Sequence, residues 1–102
     1  MTVTVSSFAF SRGMPPVADV VFDMRFLDNP HWDPALRELT GQDEGVGEYI
    51  ERDPAFASIF GKIRDLLLEL LPRYAAQGKS YVTIAFGCTG GRHRSVFVAE
   101  RI

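Results

Sequence analysis

The chain has 102 residues, 46% hydrophobic and 24% charged, with a net charge of -2, which is the make-up of one ordinary globular domain and not of a disordered tail. No apolar stretch approaches the ~20 residues of a membrane-spanning helix, and Met1-Thr2-Val3-Thr4-Val5 lacks the basic start and apolar run of a secretory signal. The lone cysteine, Cys88, excludes an internal disulfide framework and fits a reducing, cytoplasmic compartment.

The first segment, Thr2 to Phe10, is rich in β-branched and aromatic residues and alternates, Val3, Val5 and Ala9 against Thr4, Phe8 and Phe10, which predicts a strand. Ser11 to Pro16 reads as a turn, because Gly13 and two prolines stop the ladder. Ala18 to Phe22 predicts a second strand that delivers Asp23 and Arg25 to its C-terminal edge. Residues 27–42 read as a long loop with at most a short helical turn, and a loop of that length carrying His31 and Trp32 is expected to be functional.

Asp43 to Arg52 predicts a short helix weakened by Gly45 and Gly47. A long helix follows: Asp53 suits its cap, Pro54 its first position and Gly78 its end. Phe56, Ile59, Phe60, Ile63, Leu66, Leu67, Leu70, Leu71 and Tyr74 recur at helical spacing as a core stripe, and Pro72 is expected to kink the helix or end its regular part. Tyr81 to Phe86 predicts a buried strand, and a last helix starts near Ser95. Its apolar pattern is still running at Ile102, as expected of a piece of a longer chain. With no internal repeat, residues 1–102 form one domain of α/β class, a small mixed or parallel sheet flanked by helices. Ligands of such sheets bind at the carboxyl ends of the strands.

Charge divides unevenly. Residues 1–52 hold four Lys/Arg and nine Asp/Glu, a balance of -5, while residues 53–102 hold seven and four, a balance of +3. Lys62, Arg64, Arg73 and Lys79 are expected on a solvated face. Arg92 and Arg94 are different, because they stand in Gly87-Cys88-Thr89-Gly90-Gly91-Arg92-His93-Arg94-Ser95, a glycine loop between a strand and a helix. Glycines let backbone N–H groups approach a ligand, a helix N-terminus favours negative charge, and guanidinium forks match phosphate oxygens. The loop is therefore read as an anion cradle. A tight turn with geometric glycines is the plainer alternative, and it leaves the cations unexplained.

Cys88, Gly91 and Arg94 followed by Ser95 also match the spacing of the cysteine-dependent phosphatases, in which a thiolate attacks phosphorus and an arginine holds its oxygens. Asp33 is the general acid that reading would need, and Gly87 stands where that family has histidine. Against it, Cys88 as a packing residue after an apolar strand is expected to have its pKa raised by burial and to be inert. Gly78-Lys79-Ser80 is no nucleotide P-loop, since the leading glycine position holds Arg73. Cys88, His31 and His93 are too few for a zinc framework. No cofactor is called for.

Ser7 to Pro15, Val21 to Trp32, Leu39-Thr40-Gly41 and Ser80 to Val96 together resemble, in order and over nearly all of residues 3–102, the C-terminal domain of the RNase adapter RapZ (YvcJ-like) family. The resemblance implies a fold related to a 6-phosphofructokinase subdomain and a regulatory pocket for an amino-sugar phosphate, glucosamine 6-phosphate in that family. By motif, His31, Thr89, Gly90, His93 and Arg94 match its ligand positions, and Gly91, Arg92 and Ser95 complete the anion loop. Asp23, Arg25 and Asn29 are expected to support the pocket, the first two as an ion pair beneath the loop or as direct sugar contacts. The family's domain also helps bind a small RNA. An acidic first half and an end before any basic tail weigh against RNA here. A membrane partner is not expected, and self-association stays open.

Overall fold

In the computed structural model, which describes residues 1–13 and 17–102, strands β1 (Thr2–Ala9), β2 (Val20–Asp23) and β3 (Tyr81–Cys88) form one sheet in the order β1-β3-β2. Both pairings are parallel, so the sheet is of the parallel kind. Helices α1 (Glu44–Glu51), α2 (Pro54–Ala76) and α3 (Arg94–Arg101) flank it. Met14, Pro15 and Pro16, the end of the predicted turn, lie outside the described residues. No helix of the described residues is long and apolar enough to cross a membrane.

β3 is central and buried at Val82 and from Ile84 onward. Val82, Ile84 and Phe86 project from it into a core with Ile63 and Leu67 of α2, Val46 and Ile50 of α1 and Val98 of α3. Burying side chains of this size is worth about 1.5–3 kcal/mol each. β1 is an edge strand, and its Val3 and Val5 stay 40% and 39% exposed although they pair with Val82 and Ile84. Phe10 leaves the strand for a 3-10 turn, Phe10–Arg12, one residue before the predicted end.

Two strand boundaries differ from expectation for a visible reason. The Asp19 carboxylate accepts from Thr83 N–H at 2.8 Å while Asp19 N–H donates to the Thr83 carbonyl at 2.9 Å. A side chain thus takes a ladder position, and β2 starts at Val20 instead of Ala18. Lys79, intended for a solvated face, pairs with the same Asp19 carboxylate at 2.8 Å. At the other end β3 runs past Phe86 to Cys88, because Phe8 and Asp23 flank Gly87 and Ala9 pairs with Cys88.

The long helix begins as predicted. Asp53 Oδ1 accepts from Ala55 N–H at 2.9 Å, Oδ2 accepts from Asp28 N–H at 2.9 Å, and Pro54 opens the first turn. Past its end Gly78 takes φ +83, a left-handed conformation that glycine adopts without a Cβ penalty. Pro72 does not end it, since α2 continues to Ala76. The ring is exposed, and so is Leu68, the residue whose carbonyl loses an amide partner to the missing N–H. Leu66, assigned to the core stripe, is 48% exposed, because the buried line runs through Phe56, Ile63 and Leu67.

Candidate functional site

Three parallel strands bring Ala9, Asp23 and Cys88 to one edge of the sheet, and the loop from Thr89 to His93 leaves from its middle. Gly91 has φ +66, and a Cβ there would meet Ala9 Cβ and N at 2.9 Å. Both the backbone conformation and the close pass over β1 require glycine. α3 then starts at Arg94, one residue before the predicted Ser95.

The loop is held by the segment that precedes α1. Arg92 Nε donates to the Leu39 carbonyl at 2.9 Å and its terminal nitrogen donates to the Glu38 carbonyl. Gly41 N–H donates to the Arg92 carbonyl at 2.9 Å. His93 is buried, with Nε2 3.2 Å from both the Leu36 and the Arg37 carbonyls. Two carbonyl acceptors require that Nε2 carry the proton. Burial lowers the His93 pKa, and these carbonyl contacts only partly restore it.

Arg94 is 5% exposed. One terminal nitrogen donates to the Arg25 carbonyl at 2.8 Å and to the Leu27 carbonyl at 3.0 Å, and buried Nε has no partner. No carboxylate among the described residues forms a salt bridge with it. A buried cation without a counter-ion is costly unless something anionic completes it.

A cavity of about 460 Å³ opens above this guanidinium. Cys88, Thr89, Gly90, Arg92, His93 and Arg94 line it from the loop, and Asn29, His31 and Trp32 line it from the opposite side. Asn29 accepts from His31 N–H at 3.1 Å, and Arg37 Nε donates to the His31 carbonyl at 2.9 Å, so the His31-Trp32 turn is anchored at both ends. Trp32 meets His31 edge-on at 5.4 Å and is 74% exposed. Thus Asn29, His31, Thr89, Gly90, Arg92, His93 and Arg94 share one cavity.

Four expected residues stand elsewhere. Gly91 lines a more open groove of about 640 Å³ on the β1 side, with Ser6, Arg12 and Glu100. Ser95 is fully buried under Cys88, with Oγ 3.2 Å from Sγ. Asp23 and Arg25 form an exposed ion pair of 2.6 Å outside the cavity wall, the guanidinium stacked 3.9 Å over Phe10. The Arg25 hydrogen bonds lower the Asp23 pKa. Arg25 reaches the site only through its carbonyl on Arg94. Asp33, the acid of the phosphatase reading, accepts from Ala35 N–H at 2.9 Å through one carboxylate oxygen and does not line the cavity.

Cys88 departs from expectation too. Burial is the largest influence on it and pushes its pKa up. The Ser95 hydroxyl, the N–H groups of Ser95 and Gly91 and the Arg94 charge outweigh that, and the thiol is held below its ordinary value. Arg37 and Glu38 also line the cavity. Nothing in their spacing marked them; they arrive through the contacts of Arg92 and His93.

A family model described as the RapZ C-terminal domain matches residues 1–102. A nucleotide-binding protein of Novosphingobium aromaticivorans is 72% identical over 101 residues, 99% of this chain and 33% of its own length. Those of Rhodospirillum centenum and Zymomonas mobilis are 63% and 62% identical over 100 residues, 98% of this chain and 30% and 31% of theirs. The chain therefore spans about a third of the length of the curated relatives it matches.

Proposed function

The chain belongs to the RapZ C-terminal domain family, and from that premise we propose that it is a regulatory module that binds a phosphorylated amino sugar, glucosamine 6-phosphate, in the cavity between the Thr89–His93 loop and the His31-Trp32 turn. The observation that carries this reading is Arg94, buried, charged and with no salt bridge to a carboxylate among the described residues. A phosphate is the ligand that offsets such a charge, and the loop N–H groups at the start of α3 add donors for its oxygens. Thr89, Gly90 and Arg94 take the phosphate in this reading, and Asn29 and His31 take the sugar. The relatives' name points to phosphate-bearing ligands, though it describes chains about three times as long. A cysteine phosphatase fits less well, since Asp33 does not line the cavity.

Calorimetry with glucosamine 6-phosphate, glucosamine and inorganic phosphate tests the proposal. Both phosphate-bearing ligands should bind and glucosamine should not. Arg94→Ala should weaken binding by about 1.5–3 kcal/mol, the scale of a charge-assisted hydrogen bond, or roughly 10- to 150-fold. Because Arg94 also holds two backbone carbonyls, the fold of the variant is checked by circular dichroism. His31→Ala, at an exposed position, serves as the second variant. Equal affinity for glucosamine and its phosphate refutes the reading.

A further inference from the structure

We infer that Cys88 is a modification site: a nucleophilic thiol in the wall of the cavity that peroxide and small electrophiles reach when the cavity is empty and that a bound anion shields. The shielding half of this inference rests on the anion reading above; the nucleophilic half stands on its own geometry.

Cys88 closes β3 and turns toward the first turn of α3, where Sγ lies 3.2 Å from Ser95 Oγ. The backbone of Ser95 and Gly91 and the Arg94 charge are among the influences that hold the thiol pKa down against burial. Arg94 is the independent sign that something anionic belongs there. It is nineteen-twentieths buried, its Nε is unpartnered, and it forms no salt bridge with a carboxylate among the described residues. A thiolate at Cys88 is the anion the chain itself can supply when no ligand is bound. Hydrogen bonds and a cation of this kind set the pattern that makes reactive cysteines differ from inert ones. Although Cys88 is 2% exposed, it forms part of the cavity wall, which gives small reagents a route that bulky ones lack.

With hydrogen peroxide the thiolate sulfur attacks one oxygen. The S–O bond forms as the O–O bond breaks, the sulfur is oxidised by two electrons while the peroxide is reduced, and the hydroxide that leaves is protonated to water by the buffer acid. The sulfenic acid then places an added oxygen where the anion is bound, so oxidation and ligand should exclude each other. A thiol reductant reverses the step, with a mixed disulfide as intermediate and water released.

The test treats the folded chain with hydrogen peroxide and a sulfenic-acid trap, and separately with iodoacetamide across pH, reading intact mass. Cys88 is the only cysteine, so each added mass has one address. Labelling should reach half its maximal rate below the ~8.5 of a free cysteine. Ser95→Ala should move that midpoint up. Inorganic phosphate at about ten times its Kd should slow labelling about tenfold, in step with the free fraction. Labelling that occurs only as fast as the chain unfolds in urea, or a midpoint at or above that of a free cysteine, overturns the nucleophile. Phosphate that binds by calorimetry yet leaves labelling unchanged overturns the shielding while the proposed ligand site stands. Phosphate that fails to bind sinks the proposed ligand site and the shielding together, and the nucleophile is then decided by the pH midpoint and Ser95→Ala.

Discussion

Replacing Gly41 by alanine tests how the cavity is assembled, because this glycine joins the segment before α1 to the start of α3. A Cβ at position 41 would fall 2.9 Å from the Val96 carbonyl carbon and closer still to Phe97 N and the His93 carbonyl oxygen. All three are backbone atoms of the α3 first turn, so no side chain can rotate away. The segment has to move off the helix, which breaks the 2.9 Å bond from Gly41 N–H to the Arg92 carbonyl. Losing that bond costs about 1 kcal/mol and the overpacking about 1–3 kcal/mol, a sum of roughly 2–4 kcal/mol. For a domain of this size each kcal/mol moves Tm by about 4–8 °C, so thermal denaturation followed by circular dichroism should show a drop of roughly 10 °C or more. Gly61→Ala is the matched control. Nothing lies within 4 Å of a Cβ at that position, and alanine inside α2 should stabilise by about 0.5–1 kcal/mol. A Gly41→Ala chain that melts within ~2 °C of the parent refutes the reasoning.

Two further outcomes follow from the cavity walls. Burial lowers the His93 pKa below the ordinary histidine value of about 6.5, so the unfolded chain binds more protons than the folded one as pH falls past that value. The resulting stability is present above pH 6.5 and is lost as pH falls through the folded value. Urea midpoints at pH 7.5 and 5.5 should differ in the parent and converge in His93→Gln, and an unchanged difference in that variant rejects the assignment. Asp19 and Asp23 do not confuse the window, since their pKa values are shifted down from 3.8 and their contribution is lost only as pH falls below that value. Trp32, the single tryptophan, stands 74% exposed on the cavity rim. Its fluorescence should change on saturation with glucosamine 6-phosphate, while Trp32→Phe leaves stability within about 0.5 kcal/mol; constant emission at a saturation established by calorimetry removes Trp32 from the site.

Short-range patterns were legible along the chain, and long-range partners were not. Asp53, Pro54 and Gly78 marked α2 because caps and left-handed ends are decided within one turn of backbone. The strand, glycine loop and helix start around Thr89 were equally readable, since local spacing places those groups together. That α2 runs past Pro72 to Ala76 was not legible, because the burial of the helix through Phe56, Ile63 and Leu67 is a matter of long-range packing.

The sequence by itself determined the α/β class, the long helix and the glycine loop between β3 and α3, because each rests on periodicity, capping or glycine chemistry between near neighbours. Only the tertiary structure decided what those residues do. Arg92 and His93 are bonded to carbonyls 53 to 57 positions away, and Arg94 to carbonyls 67 and 69 positions away. Those contacts turn Arg92 and His93 into struts and leave Arg94 buried with no salt bridge to a carboxylate among the described residues. Desolvation and unpaired charge are properties of a packed environment, and no local pattern of residues encodes them.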